Sequence, residues 1–459
     1  MKYISTRNNS KEYSFEQVFI KGLADDGGLF VPKSQKKFSI DELNLMNKLS
    51  YQELAKKVIF PFIGDFMSQN ELSDVIEKSY SVFRKDNTIN LIKIGDTNVL
   101  ELFHGPTLAF KDIAMQLLGN FYEHYLNKNN KTINVIVATS GDTGAAAIDA
   151  IKGKNGMNIF VLHPHNKVSI VQRKLMSTIK EKNVFNIVVE GNFDDCQNLV
   201  KSMFSDQEFS NSINMSGVNS INWARIIAQT VYYFYTYFSL KDERPINFSV
   251  PTGNFGDVYA GYLSKKMGLP INKLIVATNK NDILHRAISN GEYKAEPVYE
   301  TISPSMDIQI ASNFERLIYD LNQQNDKETA DAMAKIKKEG KYFITKEKLE
   351  TIKLLFLSAS MSEKEVLNVI KDVYEKYNII LDPHSAVGFG ALKKTKIEGN
   401  NVVLATAHPC KFPDAINKSI NIKPDLPDEL KYVMDEKEDY DIISNNIDKI
   451  KQHIKSKIQ

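Results

Sequence analysis

The sequence predicts an α/β protein built from two open parallel-sheet units that face one another across a ligand cleft, with a mainly helical N-terminal block ahead of them. Three observations predict it. From residue 98 to about 204, strand-like and helix-like runs alternate as βαβαβα, the pattern of a parallel sheet with right-handed crossovers. A second such series opens at Ile246, after a long helical interruption. The first 95 residues lack the alternation and carry helical apolar spacing instead.

Taken in order, residues 15–23 read as a short helix, and Asp25-Asp26-Gly27-Gly28 as a plain β-turn. Residues 47–84 are helical, with Tyr51, Leu54, Val58 and Ile59 on one side. Residues 99–103 form a strand and 113–126 a helix. The continuous apolar run 134–138 suits a strand buried on both faces. An Ala-rich helix over 143–151, a strand at 158–162, a helix at 168–179, a strand at 185–189 and a helix to about 204 complete the first series. The aromatic-rich stretch Trp223–Leu240 reads as a buried helix. The second series runs strand 246–250, helix 255–266, strand 273–277, helix 283–288, then helix 363–374, strand 378–381, helix 386–394 and strand 401–405. Residues 293–361 form a mainly helical insert. Ile443, Ile447, Ile450 and Ile454 mark one face of an amphipathic helix. The implied division is an N-terminal domain 1–95, a smaller α/β domain 96–215, a larger α/β domain 216–425 and a C-terminal helical tail 426–459.

Composition narrows the function. Lys and Arg number 58 against 56 Asp and Glu, a formal charge of +2, so no broad basic surface awaits a nucleic-acid backbone. No apolar run reaches the ~18 residues of a membrane span, and the first residues lack a signal peptide's apolar core. Two distant cysteines, Cys196 and Cys410, form no disulfide framework, so a cytoplasmic, reducing location is expected. No obligate protein partner is evident. Glycines are few, 22 of 459, and their clusters carry weight.

Four segments could carry chemistry. Lys111 lies in Phe103-His104-Gly105-Pro106-Thr107-Leu108-Ala109-Phe110-Lys111-Asp112, after a strand and at a helix start. A helix N-terminus repels cations, and Leu108 and Phe110 solvate poorly; both favour a neutral amine able to form a Schiff base. A snorkelling surface lysine is the ordinary alternative. Ala138-Thr139-Ser140-Gly141-Asp142-Thr143-Gly144 and Val250-Pro251-Thr252-Gly253-Asn254-Phe255-Gly256-Asp257 each join a strand to a helix, where glycine-freed N–H groups can hold an anion. Asp142 would repel that anion and is expected to point away and cap its helix; capping alone is the plainer reading of that turn. Neither loop is a Walker or dinucleotide motif. In Leu404-Ala405-Thr406-Ala407-His408-Pro409-Cys410-Lys411-Phe412, the Thr406 hydroxyl could reach the cleft, His408 reads as a turn residue and Cys410 as a buried thiol. No metal-ligand spacing and no serine-hydrolase elbow occurs.

These segments, in this order along nearly the whole chain, resemble the threonine synthase family within the tryptophan synthase-like pyridoxal phosphate enzymes. So do Tyr3-Ile4-Ser5-Thr6-Arg7, the stretch from Lys21 to Leu29, Asn219-Ser220-Ile221-Asn222-Trp223-Ala224-Arg225, Met306-Asp307-Ile308-Gln309 and Ser312-Asn313-Phe314-Glu315-Arg316. Cys410 departs from the alanine expected there. The likeness is greatest to the longer microbial and fungal form. It implies fold type II, with pyridoxal 5'-phosphate as cofactor on a Schiff base with Lys111, which then shuttles protons. It implies that Gly253, Asn254, Phe255, Gly256 and Asp257 frame the cofactor phosphate and that Thr406 faces the pyridine nitrogen. Ser140, Gly141, Thr143, Asn222, Arg225 and Arg316 become candidates for the substrate's carboxylate and phosphate, Arg by its planar fork. The implied reaction converts O-phospho-L-homoserine and water to L-threonine and phosphate. A serine/threonine dehydratase-type lyase and a catalytically silent ligand-binding paralogue are the alternatives.

Overall fold

The computed structural model describes residues 1–85, 88–240 and 244–458. Two sheets organise them. One has six strands in the order Phe356–Ser360, Ile271–Thr278, Ile246–Pro251, Asn400–Ala405, Thr97–Glu101 and Asn90–Ile94. Every neighbouring pair is parallel except the last, an antiparallel hairpin at the edge. The other sheet has five parallel strands, ordered Asp441–Ser444, Val184–Glu190, Met157–Pro164, Ile133–Ala138 and Met215–Ser216. The two parallel-sheet units expected from the alternation are therefore both present.

Several elements depart from expectation, each because strand pairing is a tertiary property. The strand expected at 99–103 to open the smaller unit begins at Thr97 and pairs in the six-stranded sheet, beside Asn400–Ala405. The 293–361 insert is not wholly helical: Phe356–Ser360 is the outer parallel strand beside Ile271–Thr278. The tail is not wholly helical either. Ile443 lies in an edge strand of the five-stranded sheet; only Ile447, Ile450 and Ile454 belong to the helix Ile447–Ile458. The strand expected at 378–381 is absent: Asn378 turns left-handed to end the helix Glu363–Tyr377, and the chain runs extended to the cap at Asp382.

Two helices form the centre. Lys111–Asn129 is buried on all sides for most of its length, and Trp223–Leu240, found at its expected bounds, packs beside it. A helix apolar or small all round must be interior. The N-terminal segment adds Phe15–Lys21, Tyr51–Ile63 and Gln69–Tyr80. Each starts at a serine whose hydroxyl accepts the N3 amide while the N3 side chain accepts the serine amide. Phe15, Phe19 and Phe66 of this segment pack on Phe121 of the lysine helix, so the segment shares the main core. Among the described residues, no helix is long and apolar enough to cross a membrane.

Candidate active site

The carboxyl ends of strands from both sheets converge on one cleft of about 510 Å³. That is where open α/β sheets bind ligands. Lys111, Ser140, Thr143, Arg225, all of Gly253, Asn254, Phe255, Gly256 and Asp257, and Thr406 line it. Gly141, Asn222 and Arg316 do not.

Lys111 opens its helix, as expected, and is 9% exposed. Its turn is strapped to the next strand end: Phe110 N–H donates to Thr406 O at 2.8 Å and His408 N–H to Leu108 O at 3.0 Å. Leu108 has φ +63°, a left-handed backbone that a leucine holds only when its surroundings impose it. Lys111 Nζ lies 3.3 Å from Ser305 Oγ and 3.4 Å from Asp142 Oδ2. Burial pulls the amine's pKa down; Asp142 opposes this, and Lys411 and Arg225 add to it.

Asp142 does not cap its helix. The N-cap, Gly141, has no side chain to offer; the Thr139 hydroxyl accepts the Gly141 and Gly144 N–H groups at 2.9 Å instead. The Asp142 carboxylate turns inward. Oδ1 meets the fully buried Lys411 Nζ at 2.7 Å and Gln172 Nε2 at 2.8 Å, and Oδ2 faces Lys111. Beside two lysines it stays ionised far below the usual carboxylate range. Gly141 serves geometry here: its φ of +135° and a Gln172 side chain 2.5 Å from any added Cβ exclude other residues.

The second loop differs. Phe255 adopts φ +63° at the start of Gly256–Lys266, leaving the first-turn N–H groups without acceptors inside the helix. A Cβ on Gly253 would sit 2.6 Å from Ser305 O. Asp257 Oδ1 accepts the Tyr232 and Tyr233 hydroxyls at 2.5 and 2.9 Å, while its buried Oδ2 has no partner. Burial lifts this carboxyl to about 6. Two more buried atoms of cleft-lining residues lack partners, Arg225 Nε and Gln229 Oε1. Arg225 spends Nη1 on Val218 O at 2.9 Å, and burial draws its guanidinium down to about 10.

Two residues expected to bind the substrate, Arg316 and Asn222, spend their polar atoms on protein groups. Arg316 is wholly buried; Nε donates to Phe30 O at 3.0 Å, Nη2 to Ile221 O at 2.7 Å and Nη1 to Asn313 Oδ1. Asn222 donates to Phe19 O at 2.8 Å and accepts the Ala224 amide at 3.0 Å. Both fix the 219–221 loop, whose residues do line the cleft. In the same way Glu315 pairs with Arg7 at 2.7 Å and Thr6 at 2.6 Å, latching the N-terminal strand to the body. His408 is a turn residue, accepting the Cys410 amide. Cys410 does not line the cleft, and burial pushes its thiol up to about 12.

Sequence reading missed Ser305, His384, Lys411 and Gln229. His384 lines the cleft, with Nδ1 2.9 Å from Asp382 Oδ1 and Nε2 accepting the Ser305 amide at 3.2 Å. Asp382 also accepts the Ser385 hydroxyl, which in turn accepts the Thr406 amide at 3.1 Å. Asp382-Pro383 at a helix start is a legible capping signal that would have drawn attention to His384. Gln229 follows Arg225 by four residues on one helix, hence on one face.

Comparison with known proteins agrees with this geometry. Residues 2–80 match the model of the threonine synthase N terminus, 99–346 that of pyridoxal-phosphate dependent enzymes, and 385–454 that of the threonine synthase C-terminal region. The chain is 44% identical to a threonine synthase of Pseudomonas aeruginosa, covering 99% of this chain and 98% of the relative. It is 42% identical to that of Saccharomyces cerevisiae, over 94% and 92%. The structure superposes on pyridoxal phosphate-bound threonine synthase from Brucella melitensis with a TM-score of 0.96 at 42% identity, covering 100% of both chains. The matches span nearly the whole chain, so the chain belongs to the threonine synthase family of pyridoxal phosphate-dependent enzymes.

Proposed function

We propose that this cleft converts O-phospho-L-homoserine and water to L-threonine and phosphate, with the cofactor on Lys111. The observation that carries the reading is a buried, amine-favouring Lys111 on the same cleft as three buried polar atoms left without partners, Asp257 Oδ2, Arg225 Nε and Gln229 Oε1. The residues fit the cofactor: an amine on the cleft, and across it a helix start whose first-turn N–H groups find no acceptor inside the helix. When bound, pyridoxal phosphate supplies an aldehyde for an amine to condense with and a ring that withdraws electrons from the substrate's carbons.

The chain's own residues do the rest. The 253–257 loop and the helix start after it would hold the cofactor phosphate with backbone N–H groups. Asp257, largely protonated below about 6, can present its free Oδ2 as a donor there. Thr406 would face the pyridine nitrogen; a hydroxyl, unlike a carboxylate, does not enforce protonation. Ser140, Thr143 and Arg225 would grip the substrate's carboxylate and phosphate, with Gly141, Asn222 and Arg316 shaping the loops behind them. Lys111 Nζ would take protons from Cα and then Cβ as phosphate leaves Cγ, return one to Cγ, and return one to Cα once water has added at Cβ. Residues 1–95 would act as a domain that braces the lysine helix, and the two buried free thiols suit a reducing, cytoplasmic setting.

The test is Lys111→Ala. Phosphate release from O-phospho-L-homoserine should fall by at least ~10³-fold, and the Schiff-base absorption band near roughly 410–420 nm should vanish. Turnover surviving in this variant would overturn the assignment, and 2-oxobutanoate made from threonine at a comparable rate would favour a dehydratase.

A further inference from the structure

A carboxylate at the mouth of an anion-binding loop is an electrostatic liability. Asp142 occupies that position, in the helix's first turn and 3% exposed. Its neighbour across the chain explains how it is tolerated. Lys411 is 0% exposed, and its Nζ donates to Thr107 O and to Asp142 Oδ1, both at 2.7 Å. Lys411 therefore spends two of its three N–H donors on the protein and is turned away from the cleft, which it does not line. Asp142 Oδ1 is spent on Lys411 and Gln172; Oδ2 alone faces Lys111, at the longer distance of 3.4 Å. Thr107 belongs to the same turn as Lys111, so Lys411 ties the lysine's turn and the 139–144 loop together with one ammonium group.

A buried ion pair is costly to desolvate and gives little net stability over an apolar replacement. Its position here gives it a chemical use. With Lys411 in place, Asp142 and Lys411 cancel as charges, and a single oxygen remains to orient the Lys111 amine. Without Lys411, a full carboxylate would face Lys111 alone and hold it as an ammonium, which is no nucleophile.

We propose that Lys411 is a positioning residue for the reaction: by taking up one oxygen of Asp142, it neutralises the carboxylate beside the substrate's anions and leaves the Lys111 amine free to react. The proposal rests on the reading of Lys111 as the cofactor-bearing lysine. The charged groups facing Lys111 are Asp142, Lys411 and Arg225, and burial by the surrounding walls acts in the same sense as the two cations. His384 reaches Lys111 only through the Ser305 amide and hydroxyl.

The experiment is competitive acetylation of the full-length chain, stripped of cofactor, across pH 6–11 (roughly the range of amine titration), with Lys111 read by peptide mass spectrometry against an exposed lysine. Lys411→Met should move the Lys111 reactivity midpoint upward by about one unit or more, because a repelling cation is lost and Asp142 is freed. Asp142→Asn should move it downward by a similar amount, because the attracting charge is lost while Lys411 stays. Lys411→Arg should stay near the wild-type midpoint. Opposite shifts from the two partners of one ion pair are not what loss of packing produces. A midpoint unchanged or lowered in Lys411→Met, or moved the same way in both variants, overturns the proposal. If Lys411→Met does not fold, Asp142→Asn and Lys411→Arg decide it: an upward or absent shift in the first, or a shift in the second as large as one unit, overturns it. Added pyridoxal phosphate should protect Lys111 from acetylation in the wild type. Failure of that protection counts against the cofactor role of Lys111 and is distinct from any result on Lys411.

Discussion

The two loops that face each other across the cleft are built alike and charged differently. Each follows a parallel strand, turns through one positive-φ residue (Gly141 in the first, Phe255 in the second) and places an aspartate in the first turn of a helix. In the first, the Asp142 oxygens are filled by Lys411, Gln172 and Lys111. In the second, Asp257 rests one oxygen on two tyrosine hydroxyls and leaves the other bare, near the bare Arg225 Nε and Gln229 Oε1 of the same cleft. One aspartate is held ionised by cations, and the other is driven toward its neutral form by burial. The same local sequence pattern thus yields a closed electrostatic unit on one side and an open one on the other. Under the proposed function, the open side is where a ligand's phosphate would complete the hydrogen bonds.

Removing the two carboxylates should break the symmetry most visibly. Asp142→Asn leaves Lys411 buried against a neutral amide, which should destabilise the chain by about 3 kcal/mol. Asp257→Asn keeps an acceptor for both tyrosines and buries no charge, so its cost should stay below about 1 kcal/mol. Urea unfolding of both variants without cofactor measures the difference; equal costs would show that the two aspartates are held in the same way.

The pH dependence should have opposite signs at the two positions. Asp257 has a raised folded-state pKa, from 3.8 to about 6, so folding takes up a proton between those values. Its contribution to stability is full below the unfolded value and is lost as pH rises through about 6. Asp142 is lowered, so its contribution is present above the unfolded value and lost as pH falls below it. From pH 7 to pH 4, cofactor-free wild type should gain up to about 2 kcal/mol relative to Asp257→Asn. A flat difference between them would mean that Asp257 is not driven neutral by its site.

How much of this was legible in the sequence can be argued from the same residues. Strand–turn–helix grammar placed Lys111, both loops and Thr406 on one cleft, because alternation and glycine position are local properties. The helix Trp223–Leu240 was legible to the residue. The partner of Asp142 was not, since Lys411 comes from a turn distant in sequence, and a lone aspartate after glycine looks like a cap. Arg316 and Asn222 sit in motifs that read as ligand-binding, yet most of their partners are backbone groups, which no side-chain pattern reveals. The strands Asn90–Ile94, Phe356–Ser360 and Asp441–Ser444 lie at sheet edges, where pairing on one side relaxes the apolar pattern.

The two buried arginines extend the contrast. Arg225→Lys keeps the charge but loses Nε, the atom without a partner, so KM for O-phospho-L-homoserine should rise by about 10-fold. Arg316→Lys loses contacts to Phe30, Ile221 and Asn313, so its effect should fall on stability first. Steady-state kinetics, set beside thermal unfolding, separates the two. A larger rise of KM in Arg316→Lys at matched stability would return Arg316 to the ligand.

The smallest effect is expected at Cys410, the position where the chain carries a thiol in place of the alanine expected from its family likeness. Cys410 adjoins Lys411 on the closed side of the cleft, is 0% exposed and has its thiol pushed up to about 12. It is a small apolar filler, so Cys410→Ala removes one atom's worth of packing and no charge. Stability should change by less than about 1 kcal/mol and kcat/KM by less than about 2-fold. If the closed side works through the Lys411–Asp142 pair, disturbing the residue next to Lys411 without touching that pair leaves the chemistry in place. A large loss of kcat/KM in Cys410→Ala with unchanged stability would instead show that the thiol itself acts in the cleft, and that the closed side is not closed.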